Sequence, residues 1–448
     1  MEDAMPIQTI HNFRKADPKA MIPSEILSLG HINEPLVMRG YYVPDTEYFN
    51  IMPEGNASID RNRIAHRPVG YILPENPFLA IDEGLCREKE PEMKMNADVL
   101  KAKAARPVQA GPLTGEEMER LSSYIDSKYP GLVADESFFS DNTPDRLLGY
   151  FSSERLHLIQ LSSMTEVRLE AYSLKLDVFS RNTGILESDI MLNKRALFIG
   201  CGSVGSLVAV ELAKAGVGSF MLVDMDVFGY HNICRHQCGI YDVGRFKTDA
   251  VADRILQINP YAEIRKFNRP IQDVDTDILK AFCTEDTVII GGADNRGGDH
   301  YACRFAMQGG SAFISIGCWE RAFAGEIFYC LPGMPDYSDF LDAIGYTSGR
   351  VTQNRRFYTT EEDLEKVSFE PGISADINFV TIIAVKIILD LLNRSNPGFT
   401  QRLVPYISQY TLVCNTNDTS IGGEQAEIFS YPLQVTTSIT VPYSKNRK

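Results

Sequence analysis

From residue 194 onward, short uninterrupted apolar runs alternate with stretches of helical periodicity. Arg195-Ala196-Leu197-Phe198-Ile199 ends at a glycine, similar runs occupy 220–223, 287–290 and 312–316, and a further strand is expected near 263–267. Runs this short, with no polar alternation inside them, read as strands buried on both faces. Between them the spacing predicts helices over 203–215, 247–258 and 296–309. Buried strands separated by helices predict a parallel sheet covered on both sides. Residues 194–330 therefore read as a doubly wound α/β fold.

The rest of the chain is patterned differently. Fourteen of the 23 prolines precede residue 151. Proline removes a donor and restricts its predecessor, so residues 1–94 read as short strands and extended segments. Residues 95–112 read as a linker. Thr114 followed by Glu117 predicts a capping box for a helix over 115–128, and a second helix is expected over 164–177. The most apolar stretch, 373–392, is interrupted by Asp376, Lys386 and Asp390 and reads as a buried helix, not a membrane span. Strands are expected near 403–408 and 433–441. The chain thus divides into an irregular, β-rich region 1–112, an α+β connection 113–178, a nucleotide-binding domain 179–400 and a β extension 401–448.

Composition narrows the chemistry. The 448 residues carry a formal charge of −15, which gives no field for gripping nucleic acid along its backbone. The first residues include Glu2 and Asp3 and no apolar core run, unlike a secretory signal. Nine scattered cysteines do not form a disulfide framework, which points to a reducing, cytoplasmic setting.

Gly200-Cys201-Gly202-Ser203-Val204-Gly205 follows a predicted strand and opens a predicted helix. Glycines there allow a tight turn and close backbone approach to phosphate, and the helix start offers N–H groups and the positive end of its dipole. Asp224 ends the second strand, where an acid can hydrogen-bond a ribose. At this point NAD, FAD and ATP all remain open.

The residues that follow narrow the choice. They are Asp224-Met225-Asp226, then Asn232 and Arg235, then Val243-Gly244 leading to Lys247, and finally Gly292-Ala293-Asp294-Asn295 after the fourth strand. In this order they resemble the ThiF/MoeB/HesA superfamily, the adenylating core shared with ubiquitin-activating enzymes, over roughly 179–392. The resemblance implies ATP and Mg2+. It places Gly200, Gly202, Ser203, Gly205, Asp224, Asp226 and Asn232 at the nucleotide. Arg235 and Lys247 would contact phosphates, and Asp294 would hold Mg2+. Arg181 stands where such enzymes carry an arginine that reaches the neighbouring subunit's site, which implies a homodimer.

Cysteine and histidine content refines this further. His231, Cys234, His236 and Cys238 have metal-like spacing, but Asn232 and Arg235 interleave with them, so packing or local hydrogen bonding is the preferred reading. Many members of the superfamily bind structural zinc through paired Cys-x-x-Cys motifs. Asp336 and Asp339 occupy the first pair of positions here, so no structural zinc is expected. The crossover loop, 334–370, contains no cysteine for a thioester. Cys318 and Cys330 precede it, and each reads more readily as a strand thiol.

The resemblance therefore implies an enzyme that adenylates the C-terminal carboxylate of a ubiquitin-like or sulfur-carrier protein. His231-Asn232-Ile233-Cys234-Arg235-His236 looks more like the activating enzymes of bacterial ubiquitin-like conjugation operons, some of which serve antiphage defence. Partners would then be a ubiquitin-like protein and a conjugating-type enzyme. The alternatives are a sulfur-carrier adenylyltransferase of cofactor biosynthesis, an NAD- or FAD-dependent oxidoreductase, and an inactive scaffold. Neither nucleic acid nor a membrane is an expected partner.

Overall fold

The computed structural model describes residues 17–52, 68–79, 112–133, 137–140, 144–292, 296–345 and 371–444. It resolves into two units, Met1–Asp177 and Val178–Lys448.

The first unit holds a mixed eight-stranded sheet. Its strands are β1 (Lys19–Pro23), β2 (Leu36–Val43), β3 (Tyr48–Met52), β4 (Pro68–Leu73), β5 (Leu147–Ser152), β6 (Arg155–Gln160), β7 (Thr165–Glu166) and β8 (Arg168–Tyr172). Their order is β7-β6-β5-β4-β2-β3-β1-β8. Pro68 opens β4 opposite a register shift in β2, where a missing N–H costs little. The sheet joins strands from both sides of residue 112, with β4 parallel to β5. Helix α1 (Gly115–Lys128) begins with the predicted capping box: Thr114 Oγ1 accepts from Glu117 N–H, and the Glu117 carboxylate accepts from Thr114 N–H. Its Leu121 and Ile125 pack with Tyr71, Phe138 and Leu148. The helix expected over 164–177 is a correction. Glu, Leu and Ala favour helix there, but β8 pairs along its full length with β1, and this non-local ladder overrides local propensity.

The second unit carries the alternating pattern. Its strands are β9 (Arg195–Ile199), β10 (Ser219–Val223), β11 (Glu263–Phe267), β12 (Thr287–Gly291), β13 (Ala312–Cys318), β14 (Ala324–Cys330), β15 (Tyr410–Cys414) and β16 (Val435–Ile439). The order β11-β10-β9-β12-β13-β14-β15-β16 comprises five parallel strands followed by three antiparallel ones. The expected doubly wound, mostly parallel sheet is present. The strand expected near 403–408 is instead a 3-10 turn, Val404–Tyr406, preceding β15.

Helices α2 (Ser203–Lys214), α3 (Lys247–Ile258), α4 (Thr276–Phe282), α5 (Arg296–Gly309), α6 (Tyr337–Ile344) and α7 (Ser374–Leu392) cover the sheet. Side chains alternate along β9. Ala196 and Phe198 join a core with α2, α3 and α7, while Leu197 and Ile199 join a second core with α4, α5 and α6. That two-sided burial is why the strand reads as a continuous apolar run. Strand order reverses between β9 and β12, and ligands of open α/β sheets bind outside the strand ends at such a point. Gly292 N–H donates to the Ile199 carbonyl (3.0 Å), which holds the ends of β9 and β12 together.

Most of α7 is buried, and its acidic residues are accommodated individually. Asp390 is 1 % exposed, and its Oδ2 accepts from the N–H groups of Arg402, Leu403 and Val404 at 2.9, 2.6 and 3.0 Å. Among the described residues, no helix is long and apolar enough to cross a membrane.

Candidate functional site

The turn from β9 into α2 is built from glycine for steric reasons. Gly200 has φ +96°, a region that favours residues without a Cβ. A Cβ on Gly205 would lie 2.1 Å from the Gly200 carbonyl oxygen, so this first turn of α2 packs directly on the loop. Gly202 is the N-cap of α2, and no side chain caps it. A Cβ built on Gly202 would meet nothing within 4 Å. Ser203 is the first residue of α2. The result is a glycine-lined helix start that no side chain caps, and a start of this kind is suited to holding a phosphate.

Acids at the end of β10 fasten this loop. Asp224 Oδ2 accepts from Cys201 N–H (2.7 Å), and its Oδ1 accepts from Asp226 N–H (2.8 Å). A carboxylate has about four acceptor sites, so both oxygens retain capacity for a ligand hydroxyl. Lys247 heads α3, where a cation opposes the helix dipole. Asp226 balances it: Lys247 Nζ lies 2.7 Å from Asp226 Oδ2, and Lys247 N–H donates to the Asp226 carbonyl (2.9 Å). The loop, Asp224, Asp226 and Lys247 are thus linked hydrogen bond by hydrogen bond. Nearby Arg245 is engaged by Asp242 and Asp253 at 2.7 and 2.6 Å.

Asn232 and Arg235 lie on one 3-10 helix, Tyr230–Arg235. Asn232 is buried, and its Oδ1 accepts from Gly229 N–H (2.9 Å), which fixes the entry to that helix. Arg235 ends it half-buried. Asp294 and Asn295 lie outside the described residues, and so does most of the crossover loop.

Arg181 is exposed in the turn preceding β9. The next residue, Asn182, donates to the Lys214 carbonyl (2.8 Å) at the far end of α2. Twelve helical residues separate that end from Gly202, a length of about 18 Å. Arg181 therefore sits beyond reach of the glycine loop of its own chain.

The metal-like spacing of His231, Cys234, His236 and Cys238 resolves into two outward and two inward residues. His231 and Cys234 are exposed, while His236 and Cys238 are buried. Among the described residues, no group of histidine, cysteine and acidic side chains is arranged to hold a metal. His236 Nε2 lies 2.7 Å from the Cys201 carbonyl, Cys238 N–H donates to its Nδ1 (3.1 Å), and its ring meets Phe228 edge-on at 4.8 Å. Burial lowers its pKa to about 4. Sequence reasoning weighed this histidine as a metal ligand or as a residue engaged in packing or local hydrogen bonding. Its partner is 35 positions away, and no local pattern records the pair.

The other thiols are quiet. Cys330 is fully buried 3.7 Å from Cys303, and that contact together with burial raises its pKa well above the usual thiol range. This environment suits a packing residue, not a nucleophile. Cys318 is half-buried at the end of β13. The two aspartates standing in the zinc positions shape α6. Asp336 caps it, accepting from Ser338 and Asp339 N–H, while buried Asp339 accepts from Asp336 and Ser444 N–H.

Comparison with known proteins adds the following. A profile described as the ThiF family matches residues 175–412. A probable adenylyltransferase/sulfurtransferase, MoeZ of Mycobacterium tuberculosis, is 35% identical over 105 residues, covering 23% of this chain and 26% of that protein. The ATP-dependent ubiquitin transferase-like protein Cap2 of Pseudomonas aeruginosa is 30% identical over 125 residues, covering 25% of this chain and 23% of that protein. The chain thus spans about a quarter of the length of these curated relatives. Among solved structures, Escherichia coli MccB with ATP covers 79% of this chain and 84% of its own, at 14% identity and a TM-score of 0.43.

Proposed function

The chain belongs to the ThiF family, and from that premise we propose that it adenylates the C-terminal carboxylate of a small carrier protein with ATP. The observation that carries this reading is the uncapped start of α2 behind the glycine loop, tied through Asp224 and Asp226 to Lys247. A redox dinucleotide site needs the loop and the acid but gives the cation no task.

In the proposed reaction a carboxylate oxygen attacks the α-phosphorus of ATP. A P–O bond forms to the carrier, the bond to the β-phosphate breaks, and pyrophosphate leaves with the electron pair. Both reactants are anionic, so the protein must offset their charge. The N–H groups of Gly202 and of the first turn of α2 would hold phosphate oxygens, and Asp224 would accept from the ribose. Lys247 would shift from Asp226 to the phosphates as a mobile point charge, and Arg235 would add a forked donor. Asn232 holds the 3-10 helix that presents Arg235. Asp294 is the residue proposed to bind Mg2+, which supplies charge neutralisation when bound. Arg181 would act only across a homodimer.

Between carriers, we favour a ubiquitin-like protein handed on to a conjugating-type enzyme over a sulfur carrier, because the His231–His236 segment resembles conjugation-operon enzymes. The test is carrier-dependent exchange of labelled pyrophosphate into ATP, using small proteins encoded beside this chain. Exchange that requires the carrier's C-terminal carboxylate supports the proposal. Tight NADH binding with no ATP binding overturns it. The product separates the two carriers, since a protein conjugate marks the first and a thiocarboxylate the second.

A further inference from the structure

The glycine loop is held by a part of the chain that the adenylation chemistry does not use. Both hydrogen-bonding groups of Cys201 are engaged by side chains: Asp224 takes its N–H, and His236 lies at its carbonyl, at 2.7 Å in each case. We propose that His236, in its neutral Nε2–H form, is a positioning residue that fixes the orientation of the Cys201–Gly202 peptide and so aims the Gly202 N–H at the nucleotide phosphates. This rests on the ATP-site reading above.

The geometry dictates the tautomer. The partner at Nε2 is a carbonyl, so Nε2 carries the hydrogen and donates. The partner at Nδ1 is the Cys238 N–H, so Nδ1 offers its lone pair. A second proton would point at that N–H. The ring is held on further sides. Phe228 packs edge-on, and the neighbouring Gln237 N–H donates to Ser206 Oγ (3.3 Å) on α2. The segment carrying His236 is therefore stitched to the same helix whose start forms the site.

The consequence follows from peptide planarity. In a trans peptide, C=O and N–H point in opposite directions. Holding the Cys201 carbonyl toward His236 turns the Gly202 N–H the opposite way, away from that ring. Glycine at 202 makes the flipped peptide accessible, because no Cβ opposes it. His236 is the side chain that weights the balance toward the phosphate-ready orientation.

The test uses the full chain and three variants. His236→Gln keeps a donor at the reach of Nε2, His236→Asn keeps only an acceptor near Nδ1, and His236→Leu keeps neither. ATP affinity is measured by calorimetry, and KM for ATP and kcat by carrier-dependent exchange. Asn and Leu should weaken ATP binding by about tenfold or more, mainly in KM, the range expected when an orienting buried hydrogen bond is lost. Gln should recover affinity to within about threefold of wild type. A folded His236→Asn that binds ATP as wild type does overturns the strut. Wild-type protein that does not bind ATP overturns the nucleotide reading instead. Nitrogen-15 NMR of the histidine rings gives an independent answer where a variant fails to fold. An Nε2–H ring for His236 at neutral pH supports the proposal, and an Nδ1–H ring or an imidazolium overturns it.

Discussion

Asp390 offers a test of the fold that does not depend on any functional reading. It is a carboxylate near the end of a buried helix, and a single oxygen receives three backbone N–H groups from the segment leading to β15. Hydrogen bonds to charged groups contribute about 1.5–3 kcal/mol each, while a neutral bond contributes about 1 kcal/mol. Asp390→Ala removes all three bonds and leaves three donors that only water can satisfy. Because those donors are half-buried, the lower figures apply, and the loss should be about 3 kcal/mol or more. Asp390→Asn keeps a neutral acceptor and should lose about 1 kcal/mol. Asp376→Ala, in the half-buried first turn of the same helix, should lose less than about 1 kcal/mol, the usual scale of a helix-end charge. The assay is urea unfolding followed by tryptophan fluorescence. The chain has one tryptophan, Trp319, which is buried beside Phe323 and Phe429, so the signal reports on the second unit alone. A loss below about 1 kcal/mol for Asp390→Ala, or one no larger than for Asp376→Ala, would refute the assignment of this side chain as the staple of that segment.

Two further outcomes follow from titratable groups. Among the described cysteines, Cys234 is the exposed one, so an alkylating reagent should modify it before the other described ones in the native protein, while Cys201, Cys283 and Cys330 react only on unfolding; peptide mapping by mass spectrometry checks this, and equal native rates for Cys330 and Cys234 would contradict it. His236 has a folded pKa near 4 against 6.5 for the free side chain, so between these values the unfolded chain binds a proton that the folded one does not. Its contribution to stability is therefore flat above about pH 6.5 and falls as the pH drops toward 4, by roughly 2 kcal/mol between pH 7.5 and 5. His236→Leu should lose that part of the pH dependence in the Trp319 assay, and identical pH slopes for the two proteins would show the shift to be absent.

The parallel half of the sheet was legible because burial on both faces writes itself into the chain. Residues 196–199 and 288–290 have no polar position to place on a solvent side, and glycine stops each run. Asp224, Asp226 and Lys247 could be picked out as a group because the loop and the strand ends that carry them are local in sequence. What the sequence did not show depends on distant partners. Residues 164–177 have helical propensity, yet β8 exists because Lys19–Pro23 lies alongside it, nearly 150 positions away. His236 had the surroundings of a metal ligand, and only the fold reveals that its partner is a backbone carbonyl. Asp390 appeared merely as a charge incompatible with lipid, while the three N–H groups that justify its burial come from a later segment.

The position of β9 in the sheet also bears on how this protein is made. Its two neighbours arrive at very different times during synthesis: β10 follows within a few dozen residues, whereas β12 is about ninety positions downstream. By contrast, β13 and β14 are joined by a hairpin and can pair as they emerge. Until Thr287–Gly291 leaves the ribosome, β9 presents a bare apolar edge, the kind of surface that recruits other chains. Pairing across so long an interval is intrinsically slow. The glycine loop hangs from that same strand and acquires its neighbour Gly292 only then. The glycine loop is therefore completed only when β12 arrives, and a nascent chain arrested before that point would carry the bare edge of β9 beside an unfinished loop.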